Sequence, residues 1–232
     1  MWKYGLVGLA CLGACNREAP PASVAAKAQT MSAVSAVAVG GRLPDDVTPL
    51  AYALELEIVP SKPDFSGRTR VEIEIERPLD RIQIHAEGLS LTRGGLTLPG
   101  AKAPLPLRAQ PLGRSGLVAL LLPETVDPTR ATLDIEYTAR FDRHLNGLYK
   151  VESGGKAYAF TQFEPIHARQ AFPSFDEPRF KTPFDVTLRV PSDAVAISNT
   201  RVYAERPLGD GLREVTFTRT EKLPTYLVAF AV

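Results

Sequence analysis

From residue 42 onward, apolar and polar side chains alternate with a period of two in a series of short stretches. Tyr52, Leu54, Leu56 and Ile58 form one apolar set, and Val71, Ile73 and Ile75 form another, with Arg70, Glu72, Glu74 and Glu76 on the opposite face. Leu133, Ile135 and Tyr137 continue the pattern, as do Phe184, Val186, Leu188 and Val190, then Val215 and Phe217. Successive side chains of a strand point to opposite faces, so each stretch predicts a strand with one face buried. Between them stand turn-forming pairs such as Ser66-Gly67, Gly94-Gly95, Pro99-Gly100 and Gly154-Gly155. No long stretch carries a helical stripe, and the one helical candidate is a short turn over residues 166–171, halted by Pro173. Many short strands with regular turns predict an all-β, antiparallel sandwich or saddle-like pair of packed sheets, one edge being left for a neighbour. There is no internal repeat.

Composition narrows the function classes. The 232 residues suffice for a substantial core, and a formal net charge of +1 with both signs interspersed offers no basic face, which argues against nucleic acid as a partner. The two cysteines, Cys11 and Cys15, both precede the alternating region, so the folded body has no disulfide, thiolate nucleophile or Cys-ligated metal. Before them, Lys3 leads into an apolar run from Leu6 to Ala14, too short to span a bilayer and matched to a signal-peptide core. That run ends Leu12-Gly13-Ala14-Cys15, which resembles a bacterial lipobox, with Cys15 as the lipidated first residue of the mature chain; Cys11 is the weaker candidate. The expected organisation is a signal peptide over residues 1–14, a flexible Ala/Ser/Pro-rich tether over 15–41, and a β-domain over 42–232. The expected location is the periplasmic side of a bacterial envelope membrane, reached through the lipid anchor.

Catalytic motifs are scarce. The three histidines, His85, His144 and His167, are far apart, and none begins the His-Glu-x-x-His pair that places two imidazoles on one zinc. No nucleophile elbow, phosphate loop or dinucleotide fingerprint is present. His85 sits in the run Ile82, Ile84, Ala86 and is expected on a strand surface.

Residues 161–184 break the alternation with a dense mixture of charges, aromatics and prolines. Gln162 and Glu164 are followed by Ala168-Arg169, Phe172-Pro173, Asp176-Glu177-Pro178, Lys181 and Phe184. In order and spacing these resemble the M1 family of zinc aminopeptidases, aminopeptidase N among them. Asn146-Gly147-Leu148-Tyr149, Ile197-Ser198-Asn199 and the run from Pro224 to Phe230 are similar to flanking segments of that family, the last to a strand closing its N-terminal domain. His167 stands where aspartate is frequent, and Ser174 where cysteine is frequent.

The resemblance implies a division of labour. Glu164 would hold the ammonium of a peptide N-terminus, and Gln162 would line the pocket for the first side chain. Arg169, Asp176, Glu177 and Pro178 would be structural rather than an acid/base pair. The zinc of the full-length enzyme, with its ligands and exopeptidase loop, would lie in a catalytic domain beyond Val232, so this chain would bind no metal and be inactive alone. Its partners would be the peptide N-terminus, that catalytic domain and the membrane. Two alternatives stay open: Glu164 paired with Arg169 as a purely structural ion pair, and a non-catalytic lipid-anchored binding or scaffold protein. The reading frame beyond codon 232 would separate the second from the enzyme.

Overall fold

The structure is a computed structural model that describes residues 42–113 and 116–232. The expected signal peptide, Cys15 and the expected tether lie outside the described residues. Fifteen strands and two short 3-10 turns are present among the described residues. The largest sheet has eight strands, in the order β13-β14-β11-β1-β2-β8-β4-β5. Here β1 is Val47–Glu57, β2 Asp64–Ile75, β4 Ser90–Thr97, β5 Leu105–Pro106, β8 Thr129–Arg140, β11 Phe184–Pro191, β13 Val202–Gly209 and β14 Leu212–Phe217. A three-stranded sheet joins β3 (Leu79–His85), β7 (Leu117–Val126) and β6 (Arg108–Pro111). A four-stranded sheet runs β12 (Ile197–Ser198), β15 (Phe230–Ala231), β10 (Lys156–Gln162) and β9 (Gly147–Ser153).

The all-β expectation holds, with one parallel pair among the named strands. Strand β1 pairs parallel with β11, matching Tyr52 to Phe184 and Leu56 to Leu188, while its other neighbour β2 is antiparallel. The alternating sets predicted from sequence face one core: Leu54, Leu56, Ile73, Leu133, Val186 and Val215 are essentially inaccessible and join one apolar cluster with Ile82, Ile84, Leu120 and Leu148. Burial of each such side chain contributes about 1.5–3 kcal/mol. On β2 and β8, Gly67 leaves room for Tyr137, whose phenol oxygen would stand 2.4 Å from a Cβ at that glycine.

Two local expectations are corrected. His85 is fully buried rather than on a strand surface, because β3 is covered on both faces: Ile82, Gln83, Ile84, His85 and Ala86 are all buried in succession. His85 also exchanges backbone hydrogen bonds with Ser174, N–H to O at 2.8 Å and O from N–H at 2.9 Å, so the loop after β10 lies against it. The segment from Pro224 to Phe230 is not one strand; Thr225–Leu227 forms a 3-10 turn, and only Phe230–Ala231 pairs as β15. The predicted helical turn near residues 166–171 is present as a 3-10 turn over Ala168–Gln170.

Candidate functional site

Strand β10 lies antiparallel to β9 and ends with Gln162 opposite Gly147. Alternation then decides what faces outward. Phe163 is buried, meeting Phe172 edge-on at 5.8 Å and Phe230 at 5.9 Å between ring centroids, while its neighbours Gln162 and Glu164 are both exposed. The chain turns at once: the Glu164–Pro165 peptide is cis, the His167 N–H donates to Phe163 O at 2.7 Å, and Ala171 N–H donates to Ala168 O at 2.9 Å. Glu164 thus stands at the head of a tight turn just past the end of β10, open to solvent. Gly147, on the facing strand, has φ +61°, and a Cβ there would lie 3.0 Å from both Cβ and Oε1 of Gln170.

The rest of the motif is directed inward. Arg169 is buried, its Nε donating to Asp176 Oδ2 at 2.7 Å and its terminal NH2 to the Asp176 carbonyl at 2.9 Å. The other oxygen of Asp176, Oδ1, accepts the Thr225 hydroxyl at 2.5 Å. A buried ion pair is tolerable only when its remaining lone pairs are satisfied, and Asp176 meets that condition. The preceding residue's amide, Phe175 N–H, donates to the Tyr52 phenol at 2.9 Å, and Tyr52 stacks on Phe184 at 4.8 Å. Burial pushes the Tyr52 phenol well above its ordinary pKa, so it serves as a neutral acceptor here.

Glu177 points elsewhere from Asp176: its carboxylate accepts the Leu43 N–H and, at 2.5 Å, Arg179 Nε. Arg179 in turn pairs with Asp45, whose carboxyl is held below its ordinary value by that guanidinium. Pro178 is exposed between them. The structure therefore brings Gln162 and Glu164 together at one exposed edge and sends Arg169, Asp176 and Glu177 into the anchoring of the loop behind them. Thr161, Thr225, Tyr52 and Phe230, which also hold this loop, carry no sequence signal that separates them from ordinary strand residues. No three His, Asp or Glu side chains converge as a metal site among the described residues.

Fold and site together define a β-domain that presents a Gln-x-Glu edge on a rigidly tied loop. Residues 48–227 match the peptidase M1 N-terminal domain, and the chain belongs to that family. It is 34% identical over 197 residues to the puromycin-sensitive aminopeptidase of Caenorhabditis elegans, covering 82% of this chain and 21% of the relative. It is 36% identical over 200 residues to human endoplasmic reticulum aminopeptidase 1, with the same 82% and 21%. To aminopeptidase N of Acetobacter pasteurianus it is 30% identical over 194 residues, 82% of this chain and 53% of the relative. The chain thus spans about a fifth to about a half of the length of these relatives.

Proposed function

We propose that this chain is the amine-anchoring domain of a zinc-dependent aminopeptidase that releases N-terminal amino acids from peptides. One observation carries the reading: Gln162 and Glu164 stand exposed on either side of a buried Phe163, at the head of a loop in which Asp176 is taken up by Arg169 and Glu177 by Arg179. A carboxylate so placed can accept charge-assisted hydrogen bonds from a peptide ammonium, each worth about 1.5–3 kcal/mol. Gln162, one residue pair back along the same exposed side, would form part of the wall for the first side chain. The zinc and the attacking water would belong to a catalytic domain, and residues 42–232 alone would be inactive.

The deciding experiment is Glu164→Gln in the full-length protein. The substitution preserves shape and removes charge, and kcat/KM on free-amine substrates should fall at least about tenfold, equivalent to roughly 1.4 kcal/mol of transition-state stabilisation. N-acetylated substrates should show no comparable fall. An unchanged kcat/KM, or an equal loss on both substrate types, removes the amine-anchor assignment.

We further propose that Cys15 is diacylated and tethers the protein to the periplasmic face of a bacterial membrane through residues 16–41. The support is the Leu12-Gly13-Ala14-Cys15 segment after a short apolar run. Two acyl chains suffice for stable anchoring where one is marginal. Mass spectrometry should find a lipidated mature N-terminus at Cys15, and Cys15→Ala should release the protein from membranes; an unmodified chain beginning elsewhere excludes the anchor.

A further inference from the structure

We propose that Thr161 is a positioning residue for the amine anchor, acting through Phe230 to fix the direction in which Gln162 and Glu164 leave β10. The inference rests on the amine-anchor reading of Glu164. Its basis is a break in the ladder between β10 and β15. Ala159 and Val232 exchange backbone hydrogen bonds, N–H to O at 2.8 and 2.9 Å, and Phe160 lies opposite Ala231. In an antiparallel ladder, hydrogen-bonded and non-bonded pairs alternate, so the next pair, Thr161 with Phe230, would be due to exchange backbone bonds again.

It does so through a side chain instead. The Phe230 N–H donates to Thr161 Oγ1 at 3.1 Å, and the same hydroxyl donates to Phe230 O at 3.3 Å. One hydroxyl, being both donor and acceptor, satisfies both polar groups of Phe230. The Phe230 ring meanwhile packs edge-on against Phe163 at 5.9 Å. Phe230 therefore holds the residue on each side of Gln162, Thr161 by its hydroxyl and Phe163 by its ring. Gln162 has no freedom to rotate inward between these two supports, and Glu164 follows one residue after the second. An exposed carboxylate just past a strand end would otherwise lose its advantage in orientation, and small misplacements of a substrate-holding group are costly in rate.

The test is a double-mutant cycle in the full-length protein, read on alanyl para-nitroanilide with thermal unfolding measured in parallel. Loss of the hydroxyl in Thr161→Val strands both Phe230 groups and should lower kcat/KM about fivefold, the scale of one net hydrogen bond. Thr161→Ser, which keeps the hydroxyl, should stay within about twofold of the parent. In a Glu164→Gln background, Thr161→Val should change kcat/KM by less than about twofold, because the charged anchor is gone and only the wall at Gln162 is left to position. Equal falls in both backgrounds, or a Thr161→Ser as impaired as Thr161→Val, overturn the proposal and leave the hydroxyl a purely structural role. Should Thr161→Val not fold, Thr161→Ala enters the cycle with the same expectations. If Glu164→Gln alone has no effect, the amine-anchor reading fails and takes this inference with it, an outcome distinct from additivity.

Discussion

Three carboxylates within fourteen residues of one another meet three different fates, and the difference is solvent. Asp176 is 3% exposed and bonded to Arg169 and Thr225; Glu177 is partly covered and bonded to Leu43 and Arg179; Glu164 is exposed. Charge removal should therefore separate stability from function. Asp176→Asn strands a buried guanidinium, and losing one partner of a buried pair costs about 3–5 kcal/mol. Glu164→Gln changes an exposed group and should shift stability by less than about 0.5 kcal/mol. Urea unfolding of the two variants checks this contrast directly: equal destabilisation would mean that Glu164 also belongs to the internal network. Nothing in the sequence distinguishes Asp176 from Glu177 as the deeper residue. That ranking depends on Arg169, seven positions away, and on Thr225, forty-nine positions away, which only the folded chain brings to one place.

At the scale of elements, the two-residue period was informative wherever a strand has one wet face. The sets on β1, β2, β8 and β11 were legible for that reason, and their apolar members do line the core. The same logic misplaced His85, since β3 is dry on both sides from Ile82 to His85 and its polar members there give no clue to a covering loop. It also could not register β13, whose eight residues are all exposed and so carry no alternation of burial to read. The motif loop was visible through its unusual residue content, whereas the supports under it were not. Gly147 is one such support that can be tested. An L residue at its φ of +61° costs about 1–2 kcal/mol. Its Cβ would also press on Gln170 at 3.0 Å, at the turn that follows Glu164. Gly147→Ala should lose about 1–2 kcal/mol or somewhat more in urea unfolding, whereas alanine at Gly154, which has open space around it, should pay only the backbone part. Identical losses at both positions would show that the contact with Gln170 yields freely.

On the scale of the whole molecule, the solvent-facing side of the largest sheet is tied together by charge rather than by apolar contact. Arg206 on β13 meets Glu214 on β14 at 2.8 Å, Glu214 meets Arg189 on β11 at 3.2 Å, Arg189 reaches Glu55 on β1 at 3.4 Å, and Glu55 meets Arg70 on β2 at 2.5 Å. This chain of pairs crosses the parallel β1–β11 junction, where the sheet departs from antiparallel order. Each exposed pair is worth at most about 1 kcal/mol alone, but a carboxylate shared by two guanidiniums is held from both sides. The Arg206 hydrogen bond, reinforced by Arg189, keeps the Glu214 carboxyl below its ordinary value of 4.5. A folded-state pKa below the unfolded one gives stability that is complete above the unfolded value and is lost as pH falls through the folded one. The difference in unfolding free energy between the parent and Glu214→Gln should therefore be steady at neutral pH, at about 1 kcal/mol or less. It should shrink once the pH drops below 4.5 and vanish when the carboxyl is protonated in the folded state. Added salt should shrink it too, since these side chains are partly exposed and screened within about 10 Å at 0.1 M ionic strength. Urea titrations across that acid range, at low and high salt, decide the matter. A difference that persists unchanged into strong acid would show that Glu214 contributes through packing and not through its charge.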